Sequence, residues 1–174
     1  MVRLPNGMIK VVGIDPGLAA TGVAVVNGAG LSVSSFSYGA ITTKPCQKLQ
    51  ERLNSIYSGL VSVLEAEQPD LMVVEDVFSV EKFPKSGITL GKVTGIILLA
   101  GCRKNIPIME VSVREAKQVL TGSGRAGKKQ LEESVRRRLN HSRPIKPYHS
   151  SDAMALAMIG LFRWDNPLLI KQCP

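Results

Sequence analysis

The chain has 174 residues, 44% apolar and 21% charged, which reads as one soluble domain over 1–174 and excludes a small disulfide-stapled scaffold. Its 22 Lys+Arg against 14 Asp+Glu leave +8, and residues 103–148 alone hold 12 basic and 4 acidic side chains, so this window carries the whole excess. Charge confined to one stretch is the electrostatic footprint of a polyanion partner and excludes a uniformly basic surface.

Ile9 to Ile14 is a β-branched run ending at Asp-Pro-Gly, and Thr21 to Val26 is a second run ending at Asn27-Gly28. These predict a strand, a turn and a strand. A glycine-rich reversal over Asn27 to Gly30 leads to a third extended stretch, Leu31 to Ile41, so the chain opens as an antiparallel meander. Leu49, Leu53, Ile56, Leu60 and Leu64 then recur at helical spacing, and Pro69 closes that helix before a short apolar strand, Leu71 to Glu75. A polar loop over Ser79 to Ser86 precedes a helix from Ile88 to Arg103, whose Gly91 and Gly95 invite close approach of another element. A fifth strand is expected at Ile108 to Val113, then a short helix to Leu120, a glycine-rich basic loop, and a basic helix striped by Leu131, Val135 and Leu139. The last helix begins near Ser150 and presents Ala153, Leu156, Ala157, Gly160 and Leu161 as its core face. This order predicts an α/β three-layer arrangement with a five-stranded mixed sheet flanked by helices, with loose ends at 1–7 and 165–174.

Cys46, Cys102 and Cys173 are odd in number and lack a CxxC pair, which points to a reducing cytoplasm and to buried or incidental thiols. The N-terminus has no apolar leader, and no apolar run reaches the roughly 18 to 20 residues of a membrane span. A soluble cytoplasmic protein with no membrane partner is expected.

Asp15 and Glu75 stand at the carboxyl ends of the first and fourth strands, where ligands gather in open α/β sheets. If those strands are neighbours, the two acids meet. An acid at the end of a buried strand needs a cation or a wet cleft to offset desolvation. His149 and Asp152, three apart at the start of the last helix, share one face with Leu156 and point toward the sheet. Taken singly, each has a plain structural reading: Asp15 as a turn former, Glu75 as a rim charge, Ser150 and Asp152 as ordinary capping and dipole compensation. Together, Asp15, Glu75, His149 and Asp152 supply three carboxylates and an imidazole to one cleft. Such an oxygen-rich set suits two Mg²⁺ ions, or Mn²⁺ in their place, in phosphodiester hydrolysis. Gly122 to Lys129 comes close to a phosphate-cradling P-loop, but Lys129 replaces the hydroxyl residue that would hold Mg²⁺, and the preceding segment reads as helix. The same glycines and cations fit a loop that touches DNA phosphates.

Gly13-Ile14-Asp15-Pro16-Gly17-Leu18 with Thr21-Gly22, Val74-Glu75-Asp76-Val77-Phe78, Leu90-Gly91-Lys92 through Gly95, Ala116-Lys117-Gln118 with the Gly122 to Lys128 loop, and Ser151 to Ala157 together resemble the RuvC family of Holliday-junction resolvases. The resemblance runs through nearly the whole chain. It implies a ribonuclease H-like fold, a homodimer, Mg²⁺-dependent paired cuts in two strands of like polarity at a four-way DNA junction, and a branch-migration helicase as partner. Asp15, Glu75 and Asp152 match the family's metal-binding carboxylates, and His149 falls where a fourth acid commonly sits. Asp76 follows the glutamate where an uncharged residue is usual, as a spare ligand or an outward charge. Phe78 matches an aromatic residue that stacks on an unpaired base, with core packing as its plain alternative. Lys117 and Lys128 match basic residues near the scissile phosphate, and Arg125 and Lys129 join them as DNA-binding candidates. The helix around Gly91 to Leu99 is the expected dimer interface. A nuclease of the same fold acting on RNA or an RNA–DNA hybrid stays open. An actin-like ATPase needs two such halves, and the acidic cluster argues against a purely architectural DNA binder.

Overall fold

A computed structural model of the chain describes residues 7–76 and 84–164. Phe78, most of the loop expected at Ser79 to Ser86, Cys173 and the two expected loose ends, Gly7 apart, lie outside them. Ten elements follow in order: β1 (Ile9–Asp15), β2 (Ala20–Ala29), β3 (Ser32–Thr42), α1 (Leu49–Glu67), β4 (Leu71–Glu75), α2 (Pro84–Arg103), β5 (Ile108–Val111), α3 (Val113–Thr121), α4 (Lys128–Arg138) and α5 (Tyr148–Arg163).

The five strands form one mixed sheet in the order β3-β2-β1-β4-β5, with β1, β2 and β3 antiparallel and β4 and β5 running parallel to β1. Side chains of a strand alternate between faces, and here the alternation divides the core in two. Ile9, Val11, Leu71 and Val73 pack on one face with α3, α4 and α5, while Val12, Ile14, Met72 and Val74 pack on the other with α1 and α2. The odd-numbered positions of β1 and β4 thus face α5. That parity carries on to Asp15 and Glu75, the last residues of the two strands.

α5 is the central helix. Every residue from Ser150 to Leu161 is buried, so the expected one-sided stripe understates its position. It lies against β1, β2 and β4 and is covered outside by α3 and α4. Glycine makes this approach possible at two points. A Cβ on Gly13 would stand 2.1 Å from the Ala153 carbonyl oxygen, and one on Gly22 would stand 2.0 Å from that of His149.

Other boundaries differ from expectation for local reasons. β2 runs through Asn27-Gly28, where the β2–β3 register shifts, and the chain reverses at Gly30-Leu31, with Gly30 at φ +55°. α2 starts at Pro84 rather than Ile88. β5 stops at Val111 because the Ser112 side chain accepts the Glu115 N–H at 3.2 Å and starts α3 there. α5 starts at Tyr148 with Pro147 as its N-cap, so Ser150 does not cap the helix. Its hydroxyl instead donates to the Gly39 carbonyl at 2.9 Å, tying α5 to β3. Gly91 and Gly95 meet no atom within 4 Å, so among the described residues no element makes the close approach their spacing suggested. Cys46 and Cys102 are exposed rather than buried. No helix among the described residues is long and apolar enough to cross a membrane.

Candidate active site

β1 and β4 are hydrogen-bonded neighbours in register, Ile14 opposite Val74, so Asp15 and Glu75 emerge side by side at one sheet edge. The N-terminal turn of α5 crosses the same edge and adds His149 and Asp152. All four groups line one cavity of about 160 Å³. Lys117 from α3 and Lys128 from the start of α4 line its far wall, with Val113 between the elements. Asp76, next to Glu75, does not line it.

Asp15 is buried and accepts the His149 Nδ1–H at 2.5 Å, while the imidazole is half-exposed at the mouth rather than turned fully inward. That hydrogen bond, outweighing the opposing effect of burial, raises the His149 pKa from 6.5. Burial, followed by the hydrogen bond and charge of Asp15, pushes Glu75 from 4.5 up to about 8. Asp152 is also raised, first by burial and then by Asp15, and its Oδ1 is buried without a hydrogen-bond partner. No three His, Cys, Asp or Glu side chains among the described residues close around a single point as a ready cage. The argument for a cation rests on the donor set. Three hard oxygen donors share a partly dry cavity, and one buried carboxylate oxygen lacks any partner, so the residues fit a divalent ion.

Lys128 and Lys129 occupy the first turn of α4, where cations oppose the helix dipole at a cost of about 0.3–1 kcal/mol each. An anion beside them offsets that cost. Lys117 and Lys128 join the cavity as expected. Lys129 points away, 82% exposed and 4.0 Å from Glu133. Arg125 lines a separate cavity between α3 and α4. Val113 as a cavity wall and the contacts of Gly13 and Gly22 with α5 were missed by sequence reasoning. Only the placement of the two glycines inside strand runs could have signalled a close backbone approach.

A five-stranded 3-2-1-4-5 sheet with three carboxylates gathered at one edge defines the ribonuclease H-like class of fold. A family model described as crossover junction endodeoxyribonuclease RuvC matches residues 11–160, and the chain belongs to this RuvC family. A protein of that description from Rhodopirellula baltica is 34% identical over 164 residues, covering 94% of this chain and 92% of its own. Another from Thermotoga maritima is 36% identical over 151 residues, covering 87% and 89%. Among solved structures, Thermus thermophilus RuvC in complex with Holliday junction substrate superposes with a TM-score of 0.81 at 28% identity, covering 90% of this chain and 94% of that one.

Proposed function

We propose that this chain is a structure-selective endonuclease that resolves four-way DNA junctions by paired nicks in two strands of like polarity. The observation that carries the reading is the convergence of Asp15, Glu75 and Asp152 from β1, β4 and α5 on one cavity walled by Lys117 and Lys128. Family membership and the junction-bound Thermus relative support the choice of substrate.

Asp15, Glu75 and Asp152 would hold Mg²⁺, with Mn²⁺ as a substitute, and the bound ions supply an activated water and charge stabilisation at the leaving oxygen. The chain's own residues do the rest. Lys117 and Lys128 hold the scissile phosphate over the carboxylates and offset the charge that builds on it. His149 keeps Asp15 in place through its Nδ1–H, and in its protonated form it competes with a cation for that carboxylate. Burial of Asp15 and Asp152 fixes their rotamers, so ligand geometry is set before substrate arrives.

A four-way junction has two equivalent cut sites, which a two-fold dimer matches. The exposed α2 face, with Ile88 62% and Leu99 50% accessible beside the uncontacted Gly91 and Gly95, is the surface proposed to pair. A gel assay on a synthetic four-way junction, a plain duplex and an RNA–DNA hybrid tests the reading. Symmetric nicks in the junction are expected; cutting of the hybrid alone would overturn it.

A further inference from the structure

A second cavity, about 350 Å³, lies apart from the carboxylates, on the other side of the α3–loop–α4 segment that supplies Lys117 and Lys128. Its walls include Thr121, Arg125, Glu133, Ser134 and Arg137. The walls are held by internal hydrogen bonds. Thr121 donates to the Lys117 carbonyl at 2.8 Å, Ser134 donates to the Leu120 carbonyl, the Gly124 N–H donates to Gln118 Oε1 at 2.9 Å, and the Gly127 N–H donates to Gln130 Oε1 at 2.8 Å. Two guanidiniums have no side-chain partner in this frame among the described residues.

Their neighbours are committed. Arg136 pairs with Glu132 at 3.2 Å, Arg138 stacks 5.9 Å from the Phe162 ring centre, and Arg163 pairs with Glu115 at 2.5 Å. Glu133 stands one turn before Arg137 and is its natural helical partner, yet it pairs with Lys129, one turn further back. Among the described residues, neither Arg125 nor Arg137 has an ion pair or a side-chain hydrogen bond. Both are exposed. A pocket with two unpaired guanidiniums and one carboxylate already engaged favours a tetrahedral anion, which two planar forks grip from two sides.

We propose that this cavity is a second phosphate subsite, in which Arg125 and Arg137 clamp one backbone phosphate of the bound DNA away from the scissile phosphate at Lys117 and Lys128. The proposal rests on the reading of DNA as substrate. Lys128 and Arg137 stand nine residues apart on one helix, about two and a half turns, so they leave opposite faces of α4 about 14 Å apart along its axis. The clamped phosphate therefore lies outside the cut site, across α4 from the scissile phosphate.

The test uses the full-length protein in Ca²⁺ or chelator, with binding of a labelled four-way junction followed by fluorescence anisotropy across salt concentrations. Arg125→Gln with Arg137→Gln should weaken binding roughly eightfold at 0.1 M salt and lower the salt slope by about one, the signature of one lost phosphate contact. Glu133→Gln should tighten binding. A scan with single neutral methylphosphonate linkages should show one position, away from the scissile phosphate, that weakens the native protein and leaves the double variant unaffected. An unchanged slope, or a lowered slope with no such position, overturns the subsite and leaves the nuclease reading standing. Failure of the native protein to bind any DNA overturns the nuclease reading itself.

Discussion

The His149 imidazole and the Asp15 carboxylate, 134 residues apart in sequence, meet at 2.5 Å where α5 crosses the end of β1. Most of the site's chemistry follows from this contact, because it places a titratable cation on the carboxylate best placed to hold a metal. Replacing the imidazole by a fourth acid, His149→Asp, should tighten Mn²⁺ or Mg²⁺ binding measured by calorimetry at pH 6. The same change should lower the melting temperature of the metal-free protein, since a fourth acid then crowds the cavity in place of the imidazole that holds Asp15. Equal metal affinity in the two proteins at pH 6 would contradict a competing role for His149.

The pH dependence of stability has a definite sign. Glu75 binds its proton more tightly folded, at about 8, than unfolded, at 4.5. Its contribution is therefore fully present below about 4.5 and is lost as pH rises through about 8. His149, raised from 6.5, and Asp152, raised from 3.8, act in the same direction. In chelator, the melting temperature should fall between pH 5 and pH 8.5, and divalent metal should restore more of it at pH 8 than at pH 5. A flat profile in chelator would show that the carboxylates do not crowd one another as described.

Asp15→Asn should remove junction cleavage in Mg²⁺ while leaving junction binding intact, since a proposed metal ligand is lost and the basic wall is untouched. Gel cleavage and anisotropy on the same preparation check both halves.

Gly22→Ala drives a methyl into the His149 carbonyl and should cost about 1–3 kcal/mol of stability by denaturant unfolding, with a larger fractional loss of cleavage than of binding. Gly91→Ala meets no atom of the described residues within 4 Å and should be neutral or stabilising by up to about 1 kcal/mol in a monomer.

Leu99→Arg places a charge on the exposed α2 face and should shift the protein to monomer in sedimentation. A variant that stays dimeric would move the interface elsewhere.

Much of the fold was legible because period-two apolar runs and proline or glycine breaks leave few alternatives. β4 was read to the residue, Leu71 to Glu75, since Pro69 precedes it and its apolar run ends on an acid. The pairing of Asp15 with Glu75 depended on β1 lying beside β4, which no local signal states. β5 was overrun because Val111 to Val113 continues a β-branched pattern, although Ser112 with Glu115 three residues on is a helix-start signal. The reversal was expected to start at Asn27 rather than at Gly30-Leu31 because Asn27-Gly28 is a strong turn pair, while the backbone absorbs that pair as an irregularity inside β2. α5 was read as one-sided, although its Ala153 to Leu161 stretch contains no polar residue that could face water. The wall residue Val113 carries no pattern of its own and becomes visible only when α3 is laid against the sheet.

The burial of α5 on every side means that the element bearing Asp152 has no independent way to loosen. Its amide hydrogens should exchange only when the whole molecule opens, so catalytic geometry and global folding fail at one temperature rather than two. Substitutions deep in the molecule, such as Leu156→Ala, will therefore lose fold and nuclease activity together, even though they touch neither metal nor DNA.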